Sequence, residues 1–300
     1  MRWDRLRNPP RSWIQAGWAL LTNAHLSGFV TGRLYQGRLK QLCLPGLNCY
    51  SCPGSLGACP IGSLQAALGG AGAGFPYYIA GFLLLIGGLM GRFACGFLCP
   101  FGWAQELLHK IPFPVKARTF RLDRPMRFAK YIILAVFVII LPMTAVNAVG
   151  GGLPWFCKWI CPAGTLEAGI PLVALTPALR EVAGWLFGWK ALVLIAAVVG
   201  SIIISRPFCK YICPLGAIYG LFNRAAILRY RYSAARCTRC AACAAVCPMS
   251  IDPAGECNHA ECVRCGNCRR ACPRGAISSQ IIGVSQILPS QDGTVQREQP

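Results

Sequence analysis

Four stretches of the chain are apolar runs of helix length, and the segments between them carry most of the charge. Ser12 to Gly32 holds 21 residues without a charge and follows Arg2, Arg5, Arg7 and Arg11. At 1.5 Å rise per residue such a run crosses a hydrocarbon core of about 30 Å. Its polar positions, Gln15, Asn23, His25 and Ser27, are expected to face the interior of a bundle, because unpaired polar groups are costly in lipid. The run is longer than a signal core and no A-x-A site precedes Arg33, so a retained helix is predicted. Phe75 to Gly91, Arg127 to Gly150 and Leu186 to Ser205 are the other three; Pro142 is expected to kink the third, and Lys190 to snorkel from the fourth. Gln41 to Gly91 contains no charge at all. Its first half is predicted to dip into the membrane, which irregular backbone can do only where protein or a cofactor satisfies it.

Composition agrees with the pattern. The chain is 55% hydrophobic and only 13% charged, too apolar for an ordinary soluble domain. A net charge of +20 raises nucleic acid as a partner, but the basic residues sit between apolar runs rather than on a polar readout domain, so nucleic acid is excluded. Eighteen of them fall in 1–12, 92–130 and 206–236, against six in 33–74 and 150–190. By the positive-inside rule this places both termini in the cytoplasm of a multi-pass protein of a prokaryotic inner membrane, with membrane lipid as its surroundings.

Cysteine spacing carries the chemistry. Cys237-x2-Cys240-x2-Cys243-x3-Cys247-Pro248 and Cys262-x2-Cys265-x2-Cys268-x3-Cys272-Pro273 have the spacing of bacterial ferredoxins that hold two 4Fe-4S clusters. Carried over, one cluster takes Cys237, Cys240, Cys243 and Cys272, and the other Cys262, Cys265, Cys268 and Cys247. Zinc fits poorly, since its structural sites favour two CxxC pairs with a longer gap. Cys257 lies between the runs without an assigned partner.

A second pattern, C-x3-CPxG, occurs at Cys95–Cys99, Cys157–Cys161 and Cys209–Cys213, and Cys59-Pro60-Ile61-Gly62 repeats its second half. Cysteines at i and i+4 share one helix face, and proline then ends the turn. By topology Cys95, Cys99, Cys209 and Cys213 meet at the cytoplasmic face as a third cluster set. Cys157 and Cys161 fall on the outer face with Cys43, Cys49, Cys52 and Cys59, six candidates for one four-ligand site; disulfides are the alternative there, because an exported face is oxidising. One or two clusters beyond the ferredoxin pair are therefore expected. The fold expected is an α-helical membrane protein of four transmembrane helices in two parallel repeats, 1–120 and 125–228, with interfacial or re-entrant segments. A small α+β ferredoxin-like domain with two 4Fe-4S clusters follows at 229–278, then a flexible tail at 279–300.

The run Cys209 to Leu221, CKYICPLGAIYGL, joined to the double ferredoxin motif, resembles the NapH/MauN/YccM family of membrane polyferredoxins, and the C-x3-CP core is similar to that of NosR-type regulators. The resemblance implies a four-helix protein that moves electrons between the quinone pool and other redox proteins or complex subunits, as a quinol dehydrogenase component. This chain departs from NapH in having a third C-x3-CP motif and the Cys43 to Cys59 group. Assembly or maturation of another metal or redox complex is the alternative function.

Quinone chemistry needs proton carriers, and Glu106, His109 and Glu167 are the candidates, each weighed against being a solvated interfacial position. His25 reads as a satisfied interior histidine. Gly69 to Gly74 lacks the lysine and flanking strand of a nucleotide loop.

Overall fold

The computed structural model describes residues 9–70, 75–145 and 152–282. The arginines before residue 9, the end of the third apolar run and most of the 279–300 tail lie outside them. The described residues are mainly helical, with one two-stranded sheet.

The first apolar run is shorter as a helix than expected. It is helical over Pro9–Thr22 and stops there. Thr22 Oγ1 donates to the Trp18 carbonyl at 2.8 Å and Asn23 Nδ2 to that of Ala19 at 2.9 Å, local bonds that compete with the helix ladder. The chain is then tied to a distant loop: the His25 amide donates to Gly54 O at 3.1 Å, and its Nδ1 lies 2.9 Å from Pro53 O. His25 is thus half-buried and partnered within the protein.

Two helices, Asp123–Thr144 and Trp185–Ile203, are long and apolar enough to cross a membrane. Tyr77–Met90 is apolar but has 14 residues, and Pro162–Leu175 is another short apolar helix. Among the described residues two helices therefore have spanning length, where the sequence pattern predicts four spans. Their side chains point outward: Phe128, Ile132, Leu192 and Ile195 are each more than half exposed, which gives the bundle an apolar belt. Leu134–Ile140 ahead of Pro142 and Thr165–Gly169 ahead of Pro171 are wound as π-helix. The wider turn falls where a proline ring would otherwise meet the carbonyl four residues back. The Lys190 Nζ lies 3.9 Å from where a Cβ on Gly164 would stand, beside the Cys161 motif.

The C-terminal unit is closed by Leu228–Tyr232 pairing antiparallel with Ile277–Ile281, Tyr230 opposite Ser279. It docks on the end of the bundle through buried polar groups. Asn223 Nδ2 donates to Cys262 O at 2.8 Å, Arg264 donates to Met90 O at 2.7 Å and Asn223 O at 2.6 Å, and Glu261 bonds Arg92 and Lys130. Backbone meets backbone beside them: a Cβ on Gly96 would stand 2.2 Å from the Val263 carbonyl oxygen. One contiguous core runs through this junction, from Leu47 and Cys59 through Cys95, Cys99 and Tyr219 to Val263 and Cys265.

Candidate iron-sulfur sites

The two cysteine loops of the C-terminal unit have the same winding. Arg239 and Arg264, between the first and second cysteines, take φ of 55° and 51°; Ala241 and Gly266, after the second, take 55° and 79°. Such alternation turns successive N–H groups toward the concave side of a loop, an arrangement that favours anions. Cys237, Cys240, Cys243 and Cys272 line one cavity of about 350 Å³. Cys262, Cys265, Cys268 and Cys247 line a second, tighter one. The fourth cysteine of each run thus stands with the other run's three. Access differs between the sets, since Cys240 is exposed whereas Cys265 and Cys268 are buried. Cys257 belongs to neither; its Sγ donates to Pro253 O at 2.8 Å.

Within the bundle, Cys99 and Cys213 are the N-caps of Pro100–His109 and Pro214–Phe222. Their sulfurs accept the N–H groups of Gly102 at 3.3 Å and Gly216 at 3.4 Å, so each sits at a helix N-terminus, where negative charge is stabilised. Gln105 Nε2 donates to Cys209 Sγ at 3.2 Å. Burial pushes the Cys99 and Cys213 thiols up, and the sulfurs of Cys209 and Cys95 beside them add to the rise. Arg92 and Arg206, three residues before Cys95 and Cys209, are fully buried at this set.

The Cys157 motif gathers a similar group. Cys59 and Cys161 are N-caps of the helices that begin at Pro60 and Pro162. Gln65 Nε2 donates to Cys157 Sγ at 3.3 Å, and the Cys49 amide donates to Glu167 Oε2 at 2.6 Å. Burial and the nearby Cys59 sulfur push Cys157 up to about 12, and Cys161 is raised by burial and then by Cys157, Cys49 and Cys59. The loop that carries Cys43 to Cys59 packs directly on the Cys99 motif: a Cβ on Gly46 would stand 2.5 Å from Leu98 O and 2.8 Å from Cys99 Cα. The loop of the outer group and the Cys99 motif are therefore in direct contact. The uncharged loop folds inward because its backbone finds partners there. Leu44 and Ala58 pair across it, and the Cys43 amide donates to the Tyr78 hydroxyl at 3.2 Å.

These sets fit polynuclear iron rather than a single ion. Zinc at about 2.3 Å from each sulfur holds four thiolates within roughly 3.8 Å of one another. Among the described residues no group of three or more His, Cys, Asp or Glu side chains is placed to hold a single metal ion. All nineteen cysteines are free thiols, with no disulfide in the Cys43 to Cys59 loop. Arg206 Nη2 and the Tyr219 hydroxyl are buried without a hydrogen-bond partner beside the Cys95 set. Buried donors rarely go unpaired, and the acceptor sulfides of a cluster held there would answer them.

The proton-carrier candidates are placed differently from one another. Glu106 is neither solvated nor free: it bonds Arg11 at 2.7 Å and Arg206 at 2.9 Å, which hold its carboxyl below the usual range against the opposing effect of burial. His109 lines a polar cleft of about 180 Å³ with Arg11 and Lys110. Glu167 is half-buried, and desolvation of its carboxyl pushes its pKa up to about 7 against the lowering effect of the Cys49 N–H. Two signals in the chain went unused. An arginine stands three residues before the first cysteine at Arg92 and Arg206, and a glutamine six after the second at Gln65 and Gln105.

A family described as a 4Fe-4S binding domain matches at residues 72–121, 130–170 and 181–231, and a second family of the same description matches 258–278. The chain is 30% identical to the methylamine utilization ferredoxin-type protein MauN of Methylorubrum extorquens over 58% of its own length and 53% of that protein's. It is 24% identical to the ferredoxin-type protein NapH of Escherichia coli over 52% of its length and 47% of NapH's. With the putative electron transport protein YccM of the same organism the identity is 25%, over 56% of this chain and 44% of that one. The matched stretch thus spans about half the length of these relatives. No solved structure matches the chain. With 4Fe-4S binding domains matched in both its helical core and its C-terminal unit, the chain is similar to the ferredoxin-type proteins MauN and NapH and to the putative electron transport protein YccM.

Proposed function

We propose that this protein is a membrane-bound electron conduit between the quinone pool and a redox partner in water. The carrying observation is the unbroken succession of cysteine sets, from the exposed Cys240 through the buried Cys265 to Cys95 and Cys99, joined by direct packing of Val263 on Gly96. When bound, 4Fe-4S clusters supply one-electron transfer over a wide span of potentials. The residues around them hold that chemistry in place: helix N-termini favour the negative charge of Cys99 and Cys213, Arg92 and Arg206 add buried positive charge, and Glu106 and Glu261 hold the arginines.

The membrane part of this reading is supported by the apolar belt on Asp123–Thr144 and Trp185–Ile203. It takes the protein to be multi-pass in the inner membrane of a prokaryote, both termini cytoplasmic, with halves 1–120 and 125–228 and the unit 229–278 in the cytoplasm. The quinone part is supported by a mainly apolar cavity of about 280 Å³ between the two embedded cysteine groups, lined by Phe29, Phe101, Trp103, Leu166, Cys52 and Glu167. Of the three proton-carrier candidates, only Glu167 faces it.

The test is oxidation of the dithionite-reduced protein in lipid vesicles by a short-chain quinone, followed by the return of cluster absorbance. Rapid return is expected. Clusters that stay reduced in the presence of quinone overturn the quinone half, and anaerobically purified protein without iron overturns the whole.

A further inference from the structure

Four residues stand six positions after the proline-flanked cysteines Cys59, Cys99, Cys161 and Cys213: Gln65, Gln105, Glu167 and Tyr219. Each reaches across to the opposing half. Gln65 Nε2 donates to Cys157 Sγ at 3.3 Å and Gln105 Nε2 to Cys209 Sγ at 3.2 Å. Glu167 Oε2 accepts from the Cys49 amide at 2.6 Å. Tyr219 is buried, and Cys95 is the first of the sulfurs acting on its hydroxyl. The targets Cys157, Cys209 and Cys95 are each the first cysteine of a C-x3-CPxG motif. By the same rule Cys49 is the first cysteine of the motif that ends at Cys59, although nine residues rather than three separate them.

The glycine of each motif follows the same exchange. A Cβ on Gly62 would stand 3.9 Å from Cys157 Sγ, and one on Gly164 would stand 3.7 Å from Cys49 Sγ. In the other set, Gly102 and Gly216 lie under Arg206 and Arg92 of the opposite motif. Both sets are thus built on one two-fold plan, with two sulfurs from each half and two straps across.

We infer that Cys49, Cys59, Cys157 and Cys161 hold a fourth 4Fe-4S cluster, and that Cys43 and Cys52 are not ligands. This deepens the electron-transfer reading and rests on it. The electrostatic neighbours link these four: Cys59 feels Cys49, Cys157 feels Cys59, and Cys161 feels Cys157, Cys49 and Cys59, while Cys52 also stands near Cys49. The two excluded thiols have other surroundings. Cys52 Sγ is turned to Asn23 Oδ1 at 3.7 Å, and Cys43 is engaged by Ser63. The straps that cross to this set include a carboxylate where the Cys95 set has a phenol, so the two embedded sites share ligands in kind but differ in what their sulfurs are offered.

The test is iron and acid-labile sulfide per chain of the anaerobically purified full-length protein, with EPR after dithionite reduction. About sixteen irons are expected from four cubane sites. Cys52→Ala and Cys43→Ala should keep all of them, whereas Cys49→Ala or Cys157→Ala should lose about four. Full occupancy in Cys49→Ala together with loss in Cys52→Ala overturns the ligand assignment. A wild-type count of about twelve irons, with the ferredoxin and Cys95 sets filled, overturns the fourth site without depending on any variant's folding. The underlying reading fails separately, if iron is absent altogether.

Discussion

Arg92 and Arg206 each hold the other's motif. Arg92 Nη2 donates to the Cys209 carbonyl at 3.0 Å, and Arg206 Nη1 donates to that of Cys95 at 2.7 Å. Each arginine precedes one cysteine turn by three residues and caps the other, so the two halves are fastened by equal and opposite bonds. Both guanidinium groups are fully buried, and each is paired with a carboxylate: Arg92 with Glu261 at 2.7 Å, Arg206 with Glu106 at 2.9 Å.

Glu261 is the sharper test of this fastening, because Arg92 and Lys130 both depend on it and neither is exposed. Removal of one member of a buried charge cluster leaves the others uncompensated and costs about 3–5 kcal/mol. Glu261→Ala is expected to loosen the C-terminal unit from the bundle. Limited proteolysis should then cut near residue 228 in the variant and spare the wild type; equal resistance would show that the ion cluster does not hold the junction.

The same carboxylates set an acid limit. Burial works against ionised Glu261, but Arg92 and Lys130 outweigh it and hold its pKa below the usual range; Glu106 is held down in the same way by Arg206 and Arg11. A depressed folded-state pKa contributes stability that is present above the unfolded value of about 4.3 and is lost as pH falls through the folded one. The contribution of Glu106 and Glu261 to the denaturant midpoint is expected to be constant above about pH 5 and to be lost below it, read as a smaller acid drop in Glu106→Gln than in the wild type.

Much of this was legible in the chain. The spacing of Cys237 to Cys272 picks out the eight cysteines that line the two cavities of the C-terminal unit, and the C-x3-CP repeats single out Cys95, Cys99, Cys209 and Cys213. The end of the first helix at Thr22 was not legible, because it depends on Gly54 and Pro53, about thirty residues away, meeting His25. Nor was the choice among the six outer cysteines. Nine residues lie between Cys49 and Cys59 where three lie in the repeats, and the contact of the Cys49 amide with Glu167 is visible only in the fold.

Tyr219 offers a hydroxyl with no partner to the region between the Cys95 set and the Cys43 to Cys59 loop. A donor to a cluster sulfur stabilises the reduced, more negative state. Tyr219→Phe is expected to retain its full iron and to shift one EPR signal to lower potential in a redox titration. Unchanged midpoints for every signal would show that the hydroxyl faces no cluster.

Close backbone approach can be tested at Gly96. A methyl there would stand 2.2 Å from Val263 O, with no flexible side chain to give way. Gly96→Ala should destabilise the docked state by about 1–3 kcal/mol, the usual range for overpacking, read as a lower denaturant midpoint. Cys257→Ala, by contrast, removes only a thiol bonded to Pro253 O and should leave the iron count unchanged.

The seam at Gly96 and Val263 has one more implication. A ferredoxin head joined by a tether can swing between a donor and an acceptor, carrying charge by diffusion. This head is seated with main chain against main chain and cannot travel, so a soluble visitor must come to it, and the rim at Cys240 is where the four sulfurs of its outermost set open to water.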